Sequence, residues 1–193
     1  MVQVRGQLLA IAQVRRLREV RVFSRTPEKR HTFAEEMAAL TGLKVVASAT
    51  PEEALEGASI ITTITNAREP VFPASAVAPG AHVNAAGSNS LLRREIEEEL
   101  VRKAGTLVVD SRSLARTEGG DLLSAVEKGL LDWDELPELR EVLAGRVPGR
   151  KSPEEITLFE SHGLGLEDVA VGGHLYRLAR ERGVGEEVSL LDF

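Results

Sequence analysis

Apolar residues along this chain recur at helical spacing in some segments and in short unbroken runs in others. Segment 6–17 places its leucine, isoleucine and valine residues on one face of a helix. A second helix is predicted from Pro27 to Gly42, because proline suits the first helical turn and glycine the position after the last. Thr50 is a candidate N-cap for a short third helix. The same pattern predicts later helices over about 92–103, 121–128, 138–143 and 166–183.

Short runs rich in β-branched residues lie between these helices and predict strands. They cover about 20–23, 44–47, 59–65, 81–86, 106–110 and 155–160. Strands that alternate with helices favour an α/β fold with a doubly wound parallel sheet and helices on both faces. Such a domain usually begins with a buried strand that leads into a glycine-rich turn, whereas this sequence begins with a helix. We therefore expect a doubly wound domain that lacks its first strand and that turn.

The composition fits one domain and excludes several kinds of site. A chain of 193 residues with 42% hydrophobic residues can bury one sizeable core. The formal net charge is −6 and the arginines are scattered, so no nucleic-acid partner is expected. The sequence has no cysteine, which excludes disulfides, thiolate catalysis and cysteine-bound zinc. Its four histidines have no partner at metal-ligand spacing, so no metal site is predicted.

The beginning of the sequence gives an expectation about location. The stretch MVQVRGQLLAIAQVRR contains no apolar run long enough for a signal peptide or a membrane span. We therefore expect a cytoplasmic protein with no membrane partner.

Several stretches resemble the ornithine cyclodeaminase/mu-crystallin family, in the family's order and over nearly the whole chain. The shorter ones are QVRGQLLA at 3–10, VFSRTPE at 22–28 and ITTIT at 61–65. The longer and more idiosyncratic ones are PGAHVNAAGSN at 79–89, followed by RRE at 93–95, and EVLAGRVPGRKSPEEITLFESHGLGLEDVA at 141–170.

The resemblance implies a domain organisation. Residues 1–165 would form a Rossmann-type NAD(P)-binding domain, and 166–193 a C-terminal helix and tail that return toward a substrate-binding and dimerisation domain. In the family, the nucleotide-binding domain opens with a strand and a G-x-G-x-Q-A turn. Gln3 matches a residue that follows those glycines, so it is expected at the cofactor. The strand, the glycine-rich turn and the family's N-terminal domain would precede residue 1. The assembly implied is a homodimer.

The turn Ser24-Arg25-Thr26 directly follows a predicted strand, where a doubly wound domain meets the adenine ribose of a dinucleotide. An acidic residue there accepts hydrogen bonds from the 2′-hydroxyl of NAD, whereas a guanidinium with small hydroxyls suits a 2′-phosphate. The resemblance also implies that these residues contact NADP. We therefore predict NADP(H) rather than NAD(H) as the cofactor. A solvated turn that caps a helix is the structural alternative.

Threonines occupy the end of the predicted strand 59–65, whose carboxyl edge should face the dinucleotide. By similarity, Thr63 and Thr65 would lie along the adenosine and pyrophosphate. A buried strand rich in β-branched residues needs no ligand to explain them, so both interpretations stay open.

Further candidates close the predicted strand 81–86 at the same edge of the sheet: Asn84, Gly87 and Ser88 as cofactor contacts, and Asn89 as a catalytic residue. In family members that act on ornithine, the position of Asn89 resembles a place for an aspartate, which can stabilise a cationic imine and move protons. Asn89 can hydrogen-bond but cannot take or give a proton at ordinary pH. It therefore favours the family's imine (ketimine) reductases over a true ornithine cyclodeaminase. The structural alternative is a plain Gly-Ser-Asn turn.

A few other polar residues and one glycine are weaker candidates. Asp110 ends the strand 106–110 and is expected to cap the next helix. Gly173 lies inside the last helix, where glycine costs about 1 kcal/mol relative to alanine, so close approach of a neighbouring segment or of the nicotinamide would explain it. His174 could reach the same pocket, whereas His31 and His162 are expected at the surface.

Sequence and resemblance together predict that the complete protein reduces a cyclic imine, a ketimine or an imino acid by hydride transfer from NAD(P)H. The alternatives are ornithine cyclodeaminase or amino-acid dehydrogenase activity, and a non-catalytic family member that binds small molecules. The expected partner is a small imino or amino acid substrate. Without the glycine-rich turn, which holds the pyrophosphate, this chain is expected to bind dinucleotide poorly and to be inactive. Loss of a central strand also predicts marginal stability.

Overall fold

The sequence folds into short strands joined by helices. The computed structural model describes residues 2–188. Its α-helices are α1 (Val2–Val14), α2 (Pro27–Thr41), α3 (Pro51–Leu55), α4 (Glu98–Lys103), α5 (Arg112–Glu118), α6 (Gly120–Glu127), α7 (Leu139–Leu143) and α8 (Gly165–Arg182). Its strands are β1 (Val20–Val22), β2 (Val45–Ala47), β3 (Ile60–Thr63), β4 (His82–Ala85), β5 (Thr106–Val109) and β6 (Thr157–Glu160). A 3₁₀ turn, Ala74–Ala76, lies between β3 and β4.

The strands pair in parallel, as predicted, but they form two sheets. β1 pairs with β2, and the second sheet has the order β3-β4-β6-β5. β6 therefore lies between β4 and β5, although it is the last of them in sequence. Within residues 2–188, β1 and β3 each pair along one edge, and the other edge of each is unpaired. The parallel α/β class is confirmed, with the sheet interrupted between β1 and β3.

The turn chemistry predicted for two helix ends is confirmed. Gly42 follows α2 with a φ of 70°, in the left-handed region that favours glycine. The Thr50 hydroxyl accepts a hydrogen bond from the backbone N–H of Glu53 at 3.1 Å and so caps α3. These two features determine where α2 ends and where α3 begins.

Two groups of buried apolar side chains support the sheets. The larger group packs on the four-stranded sheet and includes Val83, Leu100, Val109, Leu122 and Leu158. The smaller group consists of Leu8 from α1 with Phe33 and Met37 from α2, and valines of β1 and β2 pack against it. Burial of each such side chain contributes about 1.5–3 kcal/mol, which holds the strand ends in place.

One predicted helix is wrong in extent, and one helix of the structure was not predicted. The helix predicted over 92–103 begins at Glu98, because the backbone N–H groups of Glu95 and Ile96 donate to the Asp121 side chain and not to helix carbonyls. Helix α5 has no counterpart among the predicted helices. It has few apolar positions, and its N-cap is Ser111, whose hydroxyl accepts from the Leu114 N–H at 3.4 Å.

The chain divides into two compact units between His162 and Gly163. The first unit contains the six strands and α1 to α7. The second contains α8, whose residues Leu166, Val169 and Tyr176 are exposed. Residues 189–193 of the predicted tail lie outside the described residues. In the part of the chain that the structure describes, no helix has the length and apolar character needed to cross a membrane.

Candidate functional site

Most of the predicted site residues lie at, or directly after, the carboxyl ends of strands. Because the strands of each sheet are parallel, these ends lie at one edge of that sheet, where doubly wound proteins bind their ligands. In the four-stranded sheet, this edge carries Thr63 with Thr65 after β3 and the segment 87–89 after β4. In the two-stranded sheet, it carries the turn 24–26 after β1.

The turn after β1 is held by Arg30 and leaves Arg25 exposed. The Arg30 guanidinium donates to the Ser24 carbonyl at 3.0 Å and lies 5.3 Å from the centroid of the Phe23 ring. The Ser24 hydroxyl donates to the Thr26 carbonyl at 3.1 Å. Arg25 itself is exposed to solvent. An exposed guanidinium on an ordered turn fits an anionic ligand, and the same contacts also fit a solvated turn.

Thr63, the last residue of β3, has a buried hydroxyl that meets no hydrogen-bond partner within residues 2–188. Buried polar groups are nearly always hydrogen-bonded, so an orphaned hydroxyl at a ligand-binding edge is a place for a polar ligand atom. The exposed Arg25 guanidinium, at the edge of the two-stranded sheet, fits an anionic group, so both edges have groups that suit a polar, anionic ligand such as a dinucleotide. Neither residue fits an apolar one.

The structure brings Thr65 and Gly87 together through Glu95. The Glu95 side chain is fully buried, and its Oε1 accepts from the Thr65 N–H at 2.5 Å. Its Oε2 accepts from the Gly87 N–H at 2.8 Å. A Cβ at Gly87 would overlap backbone atoms of Thr65 and the Glu95 carboxylate. Glycine is therefore required at position 87 by the close approach of these two loops.

Ser88 and Asn89 form a turn with Arg93. The buried Ser88 hydroxyl donates to the Arg93 carbonyl at 2.9 Å. The Asn89 side-chain oxygen accepts from the Arg93 guanidinium at 2.6 Å, and Asn89 is exposed. The hydrogen bond of Ser88 is therefore internal to the turn. The Asn89 carboxamide is held by Arg93 at the edge of the sheet.

Asn84 lies within β4, and its contacts run across the sheet face. Its amide nitrogen donates to the Thr62 hydroxyl over 3.5 Å, and its oxygen lies 3.1 Å from Nε2 of His82. Burial lowers the pKa of His82, which favours the neutral ring, and its Nδ1 lies 2.7 Å from the Thr157 hydroxyl. The predicted contact of Asn84 with the cofactor stays a prediction.

Behind the two loops lies a series of buried carboxyl groups: Glu95, Asp121 and Glu160. Asp121 Oδ1 accepts from the backbone N–H groups of Glu95 and Ile96 at 2.6 and 2.9 Å.

Glu160 ends β6, and within the described residues neither of its carboxyl oxygens meets an N–H or hydroxyl donor. Burial first, and then the neighbouring carboxylates of Asp121 and Glu95, raise the pKa of Glu160 well above its usual range. Burial also raises the pKa of Asp121 to about 6, against the two N–H groups that lower it. In its protonated form, Glu160 can donate a hydrogen bond to the Asp121 carboxylate.

Two sequence predictions next to these carboxyl groups are wrong. Asp110 does not cap α5, since Ser111 does; it accepts from the His162 backbone N–H at 2.6 Å and lies 3.2 Å from the ring Nδ1. His162, expected at the surface, has a fully buried side chain. The cause is the pairing of β6 with β5, which brings together residues 52 apart in sequence.

The other predicted residues lie away from these loops in sequence. Gln3 is exposed in the first turn of α1. Gly173 lies inside α8 of the second unit, and His174 beside it is exposed. His31, on α2, is exposed as predicted. The cofactor contacts of Gln3 and Gly173 stay predictions. Across residues 2–188, no group of three or more histidine or acidic residues is arranged to hold a metal ion.

Glu95, Asp121 and Glu160 are the candidates that the sequence pattern did not identify. For Glu160, the sequence contains a signal of a buried charge, because this acidic residue ends the predicted strand 155–160, EITLFE. Asp121 gave none, because an acidic residue in the first turn of a helix is ordinarily explained by the helix dipole.

Comparison with known proteins extends this description. The model of the ornithine cyclodeaminase/mu-crystallin family matches residues 2–183. The chain is 37% identical over 187 residues to a Delta(1)-pyrroline-2-carboxylate reductase of Bacillus cereus, an alignment that covers 96% of this chain and 57% of the relative.

Two solved structures resemble the chain closely. One is the Thermococcus litoralis Delta(1)-pyrroline-2-carboxylate reductase in complex with NADH and L-proline, with a TM-score of 0.91 and 37% identity, covering 97% of this chain and 58% of that one. The other is an archaeal alanine dehydrogenase dimer with bound NAD, with a TM-score of 0.87 and 31% identity, covering 99% and 58%. Both confirm the Rossmann-type fold. The chain spans 57% to 58% of the length of these proteins.

Proposed function

Since this chain belongs to the ornithine cyclodeaminase/mu-crystallin family, we propose that it forms the dinucleotide-binding part of an enzyme that reduces a cyclic imine or an imino acid. The observation that carries the proposal is its likeness, along almost its whole length, to a pyrroline-2-carboxylate reductase solved with NADH and L-proline. When bound, a reduced nicotinamide supplies a hydride to the imine carbon. The products are the oxidised nicotinamide and, once the nitrogen carries a proton, a secondary amine or an amino acid.

Residues at the strand ends would hold and orient the reactants. The Thr63 hydroxyl offers an unused hydrogen-bonding group to the cofactor. Asn89, held by Arg93, can hydrogen-bond to substrate or cofactor but cannot transfer a proton. An imine that is protonated before hydride addition needs no acid from Asn89. This supports a reductase over a cyclodeaminase. By resemblance, family members that act on ornithine would have an aspartate at this position.

We further propose that the cofactor is NADP(H) rather than NAD(H). Arg25 is exposed, and the hydroxyl-bearing Ser24 and Thr26 flank it. A guanidinium can form charge-assisted hydrogen bonds to a 2′-phosphate, which NAD lacks. The two solved relatives contain NADH and NAD, so they do not support a preference for NADP(H). That preference is argued from the turn after β1.

The complete site is proposed to include a further parallel strand between β1 and β3. The unpaired edges of these two strands support it, since buried parallel strands are normally paired on both sides. A glycine-rich turn after that strand would hold the pyrophosphate through backbone N–H groups. By analogy with the family, a separate substrate domain approached by α8, a homodimer and a cytoplasmic location are proposed as well.

An assay of reduced-cofactor oxidation tests the proposed function. The protein at its natural length is incubated with NADPH or NADH and with pyrroline-2-carboxylate or piperideine-2-carboxylate. We expect oxidation with at least one imine, and a lower KM for NADPH than for NADH. NAD⁺ reduction by alanine or ornithine without imine reduction would indicate a dehydrogenase. Ammonia release from ornithine without net cofactor consumption would indicate a cyclodeaminase, and binding without turnover a non-catalytic protein; each would contradict the proposal.

A further inference from the structure

One buried carboxylate joins the two loops that carry candidate ligand contacts. Glu95 accepts from the N–H of Thr65, two residues beyond β3, and from the N–H of Gly87, two residues beyond β4. We propose that Glu95 is a positioning residue that sets the spacing of these two loops for the bound dinucleotide. The inference rests on the proposed function, because it concerns the same edge of the sheet.

The position of Glu95 is itself fixed from its backbone. Its N–H donates to Asp121 Oδ1 at 2.6 Å, and its carbonyl accepts from the Val71 N–H at 2.8 Å. Asp121 belongs to α6, which packs beside α4 under the four-stranded sheet. Glu95 lies between β4 and α4, as Gly87 does, and Val71 lies between β3 and the 3₁₀ turn, as Thr65 does. Asp121, on α6, lies outside both loops, so its contact with the Glu95 N–H ties the pair of loops to a helix.

The hydrogen bonds of Glu95 are of the strong kind. The acceptor is charged and fully buried, and the two N–H groups are separate donors on separate loops. The loops also touch directly, since Gly87 has no room for a Cβ against Thr65. Loss of one oxygen acceptor would leave a buried N–H unpaired and let the loops separate.

The same bonds decide which groups remain for a ligand. The N–H groups of Thr65 and Gly87 are occupied by Glu95, so they are not available to phosphate oxygens. Side chains at this edge, such as the unpaired hydroxyl of Thr63 and the carboxamide of Asn89, are left for contact. Their separation depends on the two loops, and thus on Glu95.

Two glutamates within the same segment provide a matched test. Glu95→Gln keeps the shape but replaces one acceptor oxygen by an NH₂ group that faces an N–H. Glu97→Gln alters a nearby carboxyl group that is half-buried and whose Oε2 accepts from the Ala74 N–H at 2.7 Å, away from the strand ends. Both variants are made in the protein at its natural length. The Kd for NADPH is measured by fluorescence, the KM and kcat by imine reduction, and the Tm by calorimetry.

We expect Glu95→Gln to raise the Kd and the KM for NADPH about 10-fold or more, from the loss of a hydrogen bond to a charged group. At saturating cofactor, kcat should change much less. Glu97→Gln should leave the Kd within about 2-fold, since it leaves both N–H bonds of Glu95 in place. It should also lower the Tm less than Glu95→Gln does, because Glu97 is half-buried and accepts a single N–H. Backbone amide signals of Thr65 and Gly87 should move in Glu95→Gln and stay in place in Glu97→Gln.

The possible results separate this inference from the proposed function. If wild type binds NADPH and both variants shift the Kd equally, Glu95 is only structural and the inference fails while the proposed function stands. If wild type binds neither NADPH nor NADH, the proposed function fails, and the inference about Glu95 fails as well because it rests on that function. Should Glu95→Gln not fold, Glu95→Asp replaces it, because it keeps the charge but is too short to reach both loops. An unchanged Kd in that variant would equally overturn the inference.

Discussion

Glu160 illustrates, at the scale of single residues, how its neighbours decide the chemistry of a side chain. It ends the central strand β6 and is fully buried among Asp121, Glu95 and Asp110. The ring nitrogen Nε2 of His162 lies 3.7 Å from its Oε1. A carboxylate there would be desolvated next to other carboxylates, so the folded protein favours its protonated form.

This environment predicts a dependence of stability on pH that Glu160→Gln should reduce. In the folded protein the pKa of Glu160 is raised above the ordinary value of 4.5 that the unfolded chain should show. Its contribution to stability is therefore fully present below pH 4.5 and is lost as the pH rises through the raised pKa. The pKa of Asp121, raised to about 6, acts with the same sign. We expect the free energy of unfolding of Glu160→Gln, relative to that of wild type, to increase as the pH rises.

Urea denaturation of wild type and variant at several pH values checks this. The substituted carboxamide can still donate to Asp121, so the change isolates the charge. Glu154→Gln serves as the control, because Glu154 is exposed and its variant should follow wild type at every pH. Parallel curves for wild type and Glu160→Gln would show that Glu160 ionises normally in the folded protein, against the expectation from its burial.

The candidate residues that sequence could identify are those next to strand ends. The turn 24–26 and the threonines of β3 follow runs whose β-branched character is a local property. Glu95 could not be identified in this way, because its partners Thr65 and Gly87 are 30 and 8 residues away. Its environment exists only once β3 and β4 have paired.

At the scale of elements, two helices that open with the same three residues differ in how they start. Thr26-Pro27-Glu28 opens α2 and Thr50-Pro51-Glu52 opens α3. The Thr50 hydroxyl caps its helix, whereas that of Thr26 makes no capping bond. Glu53, at the third position of α3, also accepts from the Ala49 N–H at 2.6 Å. This reciprocal contact resembles a capping box, and α2 has Lys29 at the equivalent position.

The difference predicts unequal costs for the same substitution. Thr50→Ala should lower the free energy of unfolding by about 1 kcal/mol, because it leaves the Glu53 N–H without its acceptor. Thr26→Ala should cost less than about 0.5 kcal/mol in the absence of cofactor. Both are measured by urea denaturation in the same buffer. Equal losses in the two variants would refute the capping role of Thr50.

At the scale of the whole molecule, the unpaired edges of β1 and β3 are the main structural liability. Parallel strands expose a row of backbone N–H and C=O groups when an edge is open, and such edges associate with other chains. We therefore predict that the 193-residue chain, studied by itself, self-associates and binds dinucleotide weakly.

Sedimentation velocity over a range of concentrations and a fluorescence titration with NADPH measure these two properties. We expect the sedimentation coefficient to rise with concentration and the titration not to saturate at micromolar NADPH. A monomer that unfolds cooperatively and binds NADPH with micromolar affinity would show that the open edges are harmless. It would also show that the residues present suffice for the cofactor.

The sequence by itself determined the alternation of strands and helices, the parallel α/β class and the family. These follow from hydrophobic periodicity, from proline and glycine at helix ends, and from long ordered motifs, all of which are local or linear properties of the chain. Thr50 and Gly42 are examples, since each acts on residues next to it in sequence.

The tertiary structure decided which polar residues are buried and what they bind. Glu95, Asp121, Glu160 and His162 come from separate segments and meet because β6 inserts between β4 and β5. Burial is a property of the packed chain, so the cost of desolvating a charge, and with it the pKa, cannot be obtained from local pattern. The same packing shortened the helix predicted over 92–103 at its start, because the Asp121 carboxylate binds the N–H groups of Glu95 and Ile96.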